Sequence, residues 1–333
     1  MINDDFYMDL CIKEAWKYQG LTYPNPAVGS LILDKNGKIL AKEAHKKAGT
    51  AHAELNTIIK ALEVLGDKKI KYISDINEKY QYILKYHNNL FLDSTIYITL
   101  EPCNHQGKTP PCSILITTLG FKKVVIGKVD PNPKATGSIF LMEKNGIKIV
   151  KGILEKRCDA LLKPFKKWQK DESYIFFKLA LTQNGVYTDG IISSLKSRTY
   201  VHKLREKIDL LVIGGNTVRV DRPTLDCRFI DAKAPDILIY SKRDDFDKEI
   251  PLFNIENRNV FIENTLDRLK NYKFIMIEGG EGMLKASLEI VDDILLFVSP
   301  NFKEGKAINL SLELESINQD KIANDTIEWF KKI

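Results

Sequence analysis

Four side chains of this sequence have the types and the spacing of a catalytic metal site. His52 and Glu54 stand two residues apart, Cys103 follows a proline, and Cys112 follows a pair of prolines. One imidazole and two thiolates supply three of the four ligands of tetrahedral zinc, and the fourth position stays open for water. Glu54 is then free to move protons as a general acid and base. The set predicts zinc-dependent hydrolysis with one Zn²⁺ per chain.

Nucleobase deaminases that use zinc have this arrangement: a His-x-Glu segment, a Pro-Cys segment and a second cysteine. A structural zinc site would close its coordination with a fourth cysteine or histidine at short spacing. No fourth cysteine stands at short spacing from this set, and a non-catalytic zinc scaffold would have no use for Glu54. We therefore predict a hydrolytic deaminase in which His52, Cys103 and Cys112 bind zinc and Glu54 is catalytic.

Length and composition describe an ordinary two-domain enzyme. The chain has 333 residues, of which 44% are hydrophobic and 28% charged, and its formal net charge is +6. The lysines are spread along the chain, so charge alone predicts no nucleic-acid partner. No apolar run reaches the length of a membrane span, and acidic residues near the N-terminus argue against a signal peptide. The five cysteines are an odd number, which favours reduced thiols and a cytoplasmic protein.

Hydrophobic patterning predicts elements that place the four side chains together. Residues 4–19 are predicted to form a helix with Tyr7, Leu10, Cys11, Ala15 and Tyr18 on one face. A hairpin is predicted around residues 36–37, a helix from His52, a strand over 95–100 that leads to Cys103, and a helix after Pro111. Further strands and helices follow to residue 150. This order predicts a three-layer α/β domain with a mostly parallel sheet, in which three element ends carry the ligands.

Residues 66–94 lengthen one connection well beyond what a βα unit needs. Their weak helical pattern predicts an inserted helical segment that packs beside the domain as a surface elaboration. We predict that it is dispensable for the chemistry, since it offers no plausible ligand.

A second domain is predicted to follow a linking helix over residues 153–169, so that the domains are 1–152 and 153–333. Strands are predicted over 174–181, 210–215, 237–240 and 274–277, and a helix over 198–206. Residues 278–282 form a glycine turn between a strand and a helix, where backbone N–H groups bind phosphates in α/β proteins. Ser241, Lys242 and Arg243 follow a strand end without an acidic neighbour, which favours the 2′-phosphate of NADPH.

The spacing of the two cysteines narrows the class of deaminase. Eight residues separate Cys103 from Cys112, whereas nucleic-acid and nucleoside deaminases have Pro-Cys-x-x-Cys. The first half of the chain resembles the riboflavin-biosynthesis deaminase family, whose members are usually fused to a reductase. The resemblance is carried by ordered matches at 24–29 (Pro-Asn-Pro-Ala-Val-Gly), His45, 52–54, 102–112 and 130–133 with Gly137. It implies a cytidine-deaminase-like fold and a set of residues that hold a pyrimidine and its ribose phosphate: Asn25, His45, Lys108, Thr109, Asp130 and Asn132.

The second half resembles the reductase of the same family, which implies a dihydrofolate-reductase-like α/β fold and NADPH as cofactor. Matches occur at Lys178-Leu179-Ala180, at Arg198 and Arg205, along 217–228 and at Glu278-Gly279-Gly280. The reductase substrate residues implied by the resemblance are Lys178, Asp189, Arg205, Leu225, Arg228 and Glu278. The cofactor residues predicted are Ile191, Thr217, Asp221, Ser241, Gly280, Glu281 and Gly282.

Two departures from the family pattern leave alternatives open. Residues 182–185 read Thr-Gln-Asn-Gly where the family has Ser-Leu-Asp-Gly, and Ile191 stands where it typically has tryptophan beside the nicotinamide. The prediction is a bifunctional deaminase and reductase that acts on small pyrimidine phosphates, as a homo-oligomer (dimer or tetramer) without nucleic acid or membrane. A deaminase with a degenerate reductase domain and a tRNA adenosine deaminase are the alternatives.

Overall fold

A computed structural model describes residues 3–107, 109–130, 137–188 and 190–333. The chain divides into two compact units, Met1–Phe165 and Lys166–Ile333. Each unit has its own sheet, of five and of eight strands. Within the described ranges, no helix is long and apolar enough to cross a lipid bilayer.

The first unit alternates strands and helices around a five-stranded sheet. Its helices are α1 (Asp4–Trp16), α2 (Ala53–Val64), α3 (Ile76–Tyr86), α4 (Cys112–Thr118), α5 (Ser138–Lys144) and α6 (Glu155–Leu161), with a 3₁₀ turn at Ile70–Tyr72. Its strands are β1 (Gly29–Leu33), β2 (Ile39–Ala44), β3 (Thr95–Leu100), β4 (Lys123–Lys128) and β5 (Lys148–Lys151). The strand order is β2-β1-β3-β4-β5.

Four of the five strands of this sheet run in one direction and only β1 is reversed, so the prediction of a mostly parallel sheet is confirmed. β1 runs antiparallel to both of its neighbours, β2 and β3. β3, β4 and β5 pair in parallel, since helices α4 and α5 return the chain between them, and β2 at the edge runs in the same direction. The hairpin β1–β2 occupies the edge, and the hydrophobic pattern does not encode which way β1 meets β3.

Helices cover both faces of this sheet, which confirms the three-layer architecture. Alternate strand residues such as Ile32, Ile98 and Ile126 join one core cluster with α2 and α4. On the other face, α1 contacts β3, where the Cys11 thiol donates to the Tyr97 carbonyl oxygen at 3.8 Å.

The inward face of α1 differs from the predicted one. Its buried residues are Met8, Cys11, Ile12, Ala15 and Trp16, so Tyr7 and Leu10 are only partly buried. The helix lies so close to β1 that a Cβ on Gly29 would stand 2.1 Å from the Cys11 carbonyl oxygen. This close approach turns the small residues of α1 toward the sheet.

The first unit extends beyond the predicted boundary at 152. The predicted linking helix is split into α6 and α7 (Lys163–Gln169). The α6 residue Cys158 packs onto β4, where a Cβ on Gly127 would lie 2.3 Å from its sulfur. The Gln19 amide also donates to the Leu161 carbonyl oxygen at 2.9 Å.

The second unit is built on an eight-stranded sheet in the order β12-β13-β11-β6-β10-β7-β8-β9. Its strands are β6 (Tyr174–Thr182), β7 (Leu210–Gly214), β8 (Asp236–Tyr240), β9 (Val260–Glu263), β10 (Phe274–Glu278), β11 (Asp293–Ser299), β12 (Leu314–Ile322) and β13 (Asp325–Lys332). Its remaining helices are α8 (Leu195–Lys207), α9 (Gly215–Asp221) and α10 (Glu281–Ser287), with 3₁₀ turns at Pro251–Asn254 and Asp267–Asn271. All strands from β11 through β6, β10, β7 and β8 to β9 pair in parallel. The β12–β13 hairpin pairs with β11 in the antiparallel direction.

Candidate active site

The three predicted zinc ligands converge at the ends of three elements of the first unit. His52 is the N-cap of α2, Cys112 is the first residue of α4, and Cys103 lies just after β3. Each cysteine sulfur lies 3.6 Å from Nδ1 of His52. All three ligand atoms lie within 4.8 Å of one another. This spacing fits a tetrahedral ion with Nδ1 as the imidazole ligand atom.

The protonation of the two thiols also fits a divalent cation. The Cys112 thiol donates a hydrogen bond to Cys103 and lowers the pKa of Cys103 to about 4. The same hydrogen bond, together with burial, raises the pKa of Cys112 well above its ordinary value. The two thiols thus shift each other's pKa in opposite directions. Zinc binds cysteines as thiolates and releases their protons.

Glu54 lies in the first turn of α2 and is 4% exposed. Burial raises the pKa of this carboxyl group to about 7, although the neighbouring His52 opposes the shift. Its carboxylate also interacts with the Cys112 thiol. A buried carboxyl group with a pKa near neutrality beside a metal site is suited to take up and release protons.

Two of the predicted substrate residues adjoin the ligands. The His45 ring lies edge-on to the His52 ring, with 5.5 Å between their centroids. Burial lowers the pKa of His45 to about 4, so its ring is neutral at pH 7. Its Nδ1–H donates to the Ala51 carbonyl oxygen at 3.0 Å, and its Nε2 accepts from the Asn25 amide at 3.2 Å. His45 thus orients Asn25 at the edge of the site.

Thr109 has a partner that the sequence analysis did not predict. Its buried hydroxyl lies 3.3 Å from Nε2 of His52, the ring nitrogen that faces away from the sulfurs. A metal-bound histidine donates its other N–H to such a partner, which fixes the tautomer and the ring orientation. Thr109 therefore supports a ligand. The predicted substrate residues Lys108 and Asn132 lie outside the described residues.

Asp130 is held near the end of β4 by a residue that had no predicted role. The Asp130 backbone N–H donates to Glu101 at 3.3 Å, and the Ser138 hydroxyl donates to the other oxygen of the same carboxylate at 2.7 Å. Glu101 is 4% exposed and follows β3 directly, two residues before Cys103. The position of Glu101 close to the ligand Cys103 is the sequence signal that could have identified it.

In the second unit, three predicted reductase residues form a buried ionic cluster. Arg205 on α8 donates from Nη2 to both carboxylate oxygens of Glu278, at 3.1 and 3.0 Å. Lys178 on β6 places its ammonium nitrogen 4.0 Å from the same carboxylate. Burial would raise the pKa of Glu278, but the positive charges of Arg205 and Lys178 lower it. Arg205 thus has an internal partner in addition to any substrate phosphate.

The loop that follows α9 places Leu225 and Arg228 close to this cluster. Arg205 also donates to the Asp226 carbonyl oxygen at 3.3 Å. Leu225 is buried, and its carbonyl oxygen accepts from Arg258 at 2.6 Å. Arg228 is mostly exposed and pairs with the Asp226 carboxylate at 2.9 Å. Arg258, which the sequence analysis missed, also binds the Thr224 and Leu252 carbonyl oxygens and so fixes the loop.

The loop at residues 241–245, called here the corner after β8, contains an acidic residue. The NADPH prediction assumed that Ser241, Lys242 and Arg243 have no acidic neighbour, and this assumption is wrong. Asp245 pairs with Arg219 of α9 at 2.6 Å and lies 3.5 Å from Arg243. Ser241 accepts from Arg219 at 3.4 Å and from the Arg243 backbone N–H at 3.2 Å. The Ser241 hydroxyl thus meets one guanidinium group, that of Arg219, which had not been predicted, and the Arg243 guanidinium lies beside Asp245.

The glycine turn leads into α10, with Gly280 as the N-cap. A Cβ on Gly280 would lie 2.2 Å from the Tyr187 ring, whereas one on Gly282 would meet nothing within 4 Å. Glu281 accepts from the Asn309 backbone N–H at 2.7 Å and also pairs with Lys285.

The remaining predicted cofactor residues lie in the segment between β6 and α8 and on α9. Ile191 is 65% exposed, and its carbonyl oxygen accepts from Lys303 at 3.2 Å. Thr217 is half-buried and Asp221 exposed, and both belong to α9, which directly follows β7. Asp189 lies outside the described residues.

Two family models match the chain. The cytidine and deoxycytidylate deaminase zinc-binding region matches residues 1–128, and the RibD C-terminal domain matches residues 180–305. The first match contains all three zinc ligands and Glu54. The second contains the corner after β8 and the glycine turn.

Curated relatives and solved structures agree with these matches. The riboflavin biosynthesis protein RibD of Synechocystis is 32% identical over 80% of this chain and 68% of its own length. That of Aquifex aeolicus is 28% identical over 99% of this chain and 98% of its own. A Thermotoga maritima deaminase/reductase structure superposes with a TM-score of 0.65 at 24% identity, and covers 99% of this chain and 98% of that one. Acinetobacter baumannii RibD gives a TM-score of 0.61 at 23% identity, covering 99% of each chain. This chain belongs to the RibD family of riboflavin biosynthesis proteins.

Proposed function

We propose that this chain carries out two steps of riboflavin biosynthesis. The first unit hydrolyses the exocyclic amine of diaminohydroxyphosphoribosylaminopyrimidine and releases ammonia. The second unit reduces the ribosyl side chain of 5-amino-6-(5-phosphoribosylamino)uracil to ribityl with NADPH. The observation that carries the proposal is the convergence of His52, Cys103 and Cys112 beside the buried carboxyl group of Glu54.

In the deaminase unit, the residues divide between holding the ion and moving protons. Zinc, held by His52, Cys103 and Cys112, supplies Lewis acidity that makes water nucleophilic at neutral pH. With the ion bound, Glu54 would serve as the proton carrier between the attacking water, the ring nitrogen and the departing amine. Thr109 keeps the His52 ring in the tautomer that presents Nδ1.

The substrate is held by polar groups around this centre. Asn25, oriented by His45, is placed to hydrogen-bond the pyrimidine. By the resemblance, Asp130, Asn132, Lys108 and Thr109 are assigned with them to the pyrimidine and its ribose phosphate. Lys108 supplies a positive charge that suits the phosphate.

In the reductase unit, NADPH supplies the hydride. Lys178 is placed to donate a proton to the ring oxygen of the sugar when hydride reaches C1′ and the C1′–oxygen bond opens, since its ammonium nitrogen is held 4.0 Å from the Glu278 carboxylate. Arg228, Arg205, Leu225 and Asp189 are assigned to the substrate. Ile191 borders the nicotinamide, while Thr217, Asp221, Ser241 and residues 280–282 bind the rest of the cofactor.

The reductase is expected to bind NADPH more tightly than NADH, by about tenfold, a factor equal to about 1.4 kcal/mol. The reason is that the Arg219 guanidinium reaches the Ser241 hydroxyl and the exposed Arg243 side chain lies two residues further on, so that charged donors for a 2′-phosphate are present at this corner. Fluorescence titration with both cofactors measures the two affinities. Arg243→Ala should narrow the difference, and equal affinities in the unaltered protein would contradict the corner assignment.

The two activities can be tested on the purified full chain. We expect ammonia release from the pyrimidine phosphate, loss of that release after zinc is removed by a chelator, and its return when zinc is added. NADPH oxidation by the deaminated product tests the second unit. Ammonia release without NADPH oxidation would leave a deaminase with a silent reductase. Deamination of tRNA without deamination of the pyrimidine would overturn the proposal.

We further propose that the chain acts on small pyrimidine phosphates without nucleic acid, in the cytoplasm, as a homo-oligomer. Light scattering on the purified protein distinguishes a dimer or tetramer from a monomer. Fractionation of the source cells tests the location.

A further inference from the structure

The segment between α2 and β3 is part of the core of the first unit. Ile70, Tyr80, Ile83 and Phe91 are each no more than 3% exposed and belong to the same core cluster as α2 and α4. Phe91 stacks on Phe121, with 5.2 Å between ring centroids. The prediction of a surface elaboration is therefore wrong for the inner face of this segment, since its apolar residues fill the space over α4.

One polar group of this inner face reaches the ligand-bearing helix. The Tyr80 hydroxyl donates to the Pro111 carbonyl oxygen at 2.8 Å. Pro111 is the N-cap of α4 and precedes the ligand Cys112. Burial raises the pKa of Tyr80 to about 12, so the hydroxyl keeps its proton at neutral pH.

The Pro111 carbonyl and the Cys112 N–H are the two ends of one planar peptide unit. At the other end of that unit, the Cys112 N–H donates to the Cys103 sulfur at 3.4 Å. Tyr80 is thus joined to Cys103 through a single peptide. A hydrogen bond to the carbonyl oxygen fixes the rotation of this plane and polarises its N–H toward the sulfur.

We propose that Tyr80 is a positioning residue of the zinc site, which orients the Pro111–Cys112 peptide so that both cysteine sulfurs are held in the geometry that binds the ion. The inference rests on the proposed zinc-dependent deamination and extends it to a segment outside the ligand motifs. Partners of this kind, one step removed from the metal, typically change affinity or activity by about 10- to 100-fold when they are lost.

The test compares three variants of the full chain. Tyr80→Phe removes only the hydroxyl. Tyr82→Phe is the matched control, because its hydroxyl lies on the same helix but contacts Asp67 at 3.2 Å. Phe91→Leu loosens the packing of the same segment without touching the hydrogen bond. Each protein is loaded with Co²⁺ for the thiolate-to-metal absorption band, and with Zn²⁺ for the rate of release to a chromophoric chelator.

Tyr80→Phe should shift the Co²⁺ band and release zinc about 10-fold faster than the unaltered protein. Tyr82→Phe should match the unaltered protein in both measurements, and Phe91→Leu should lower stability without shifting the band. A Tyr80→Phe protein with an unaltered band and release rate would overturn the proposal. An equal shift in Phe91→Leu would also overturn it, because packing alone would then explain the effect. If the unaltered protein gave no thiolate band, the zinc site itself would be refuted.

Discussion

Replacing Glu54 with glutamine is expected to lower the rate of deamination by about 10²- to 10⁴-fold while zinc remains bound. Glutamine preserves the shape of the buried side chain but cannot take a proton from water. Zinc binding should survive, because His52, Cys103 and Cys112 form the ligand cluster without Glu54. Metal content by atomic spectroscopy and ammonia release under saturating substrate measure the two properties separately.

Glu63→Gln is the matched control, since Glu63 lies on the same helix but at the surface, where it pairs with Lys60 at 2.9 Å. It should leave both properties unchanged. A zinc-replete Glu54→Gln protein with unaltered turnover would contradict the proton-transfer role. Loss of zinc in that variant would instead make Glu54 a part of the metal site.

The zinc ligands could be predicted because each is marked by a local signal. His52 begins a helix with a hydrophobic face, Cys103 ends a β-branched strand, and Cys112 follows a pair of prolines at a helix start. Strand ends and helix starts of this kind come together at one edge of the sheet in α/β folds. This convergence does not depend on the details of side-chain packing. The structure brings the three side chains together, as predicted.

Features that depend on contacts between distant elements were predicted less well. The pairing direction of β1 with β3, the inward face of α1 and the core role of Tyr80 are all set by elements far along the chain. A helical pattern that contains tyrosines and lysines is typical of a surface helix. Its buried face can be recognised only when the element that packs against it, here α4, is known. The support of His52 by Thr109 likewise exists only once the loop is folded.

The second unit was predicted only in part, for a related reason. Strands β12 and β13 form a hairpin at the sheet edge, and the partly exposed β12 lacks the apolar run of a buried strand. Asp245 was not predicted as an acidic neighbour of Ser241, Lys242 and Arg243. The chain turns after Arg243, and this turn brings Asp245 to Arg219. The family resemblance assigned residues to the cofactor and the substrate. It does not encode which of these residues, such as Arg205, also pair with other side chains of the protein.

Glu278→Gln is expected to destabilise the second unit by about 3 kcal/mol, since removal of one partner from a buried ion pair leaves uncompensated charge. Arg205 and Glu278 are each 11% exposed at the side chain, and Lys178 is 16% exposed. The variant would bury two positive charges beside a neutral amide. Reduction should be lost with this cluster, because the Lys178 ammonium group would lose its charged partner.

Urea unfolding followed by tryptophan fluorescence measures the change, since Trp168 and Trp329 both belong to the second unit. Ammonia release serves as the internal reference, because the deaminase residues belong to the other unit and should keep their activity. Glu289→Gln is the control: it removes one negative charge at an exposed position just after α10 and should leave the unfolding midpoint unchanged. A Glu278→Gln protein that unfolds at the same urea concentration as the unaltered chain would show that the cluster contributes nothing to stability. The carboxylate would then be retained for the chemistry of reduction alone.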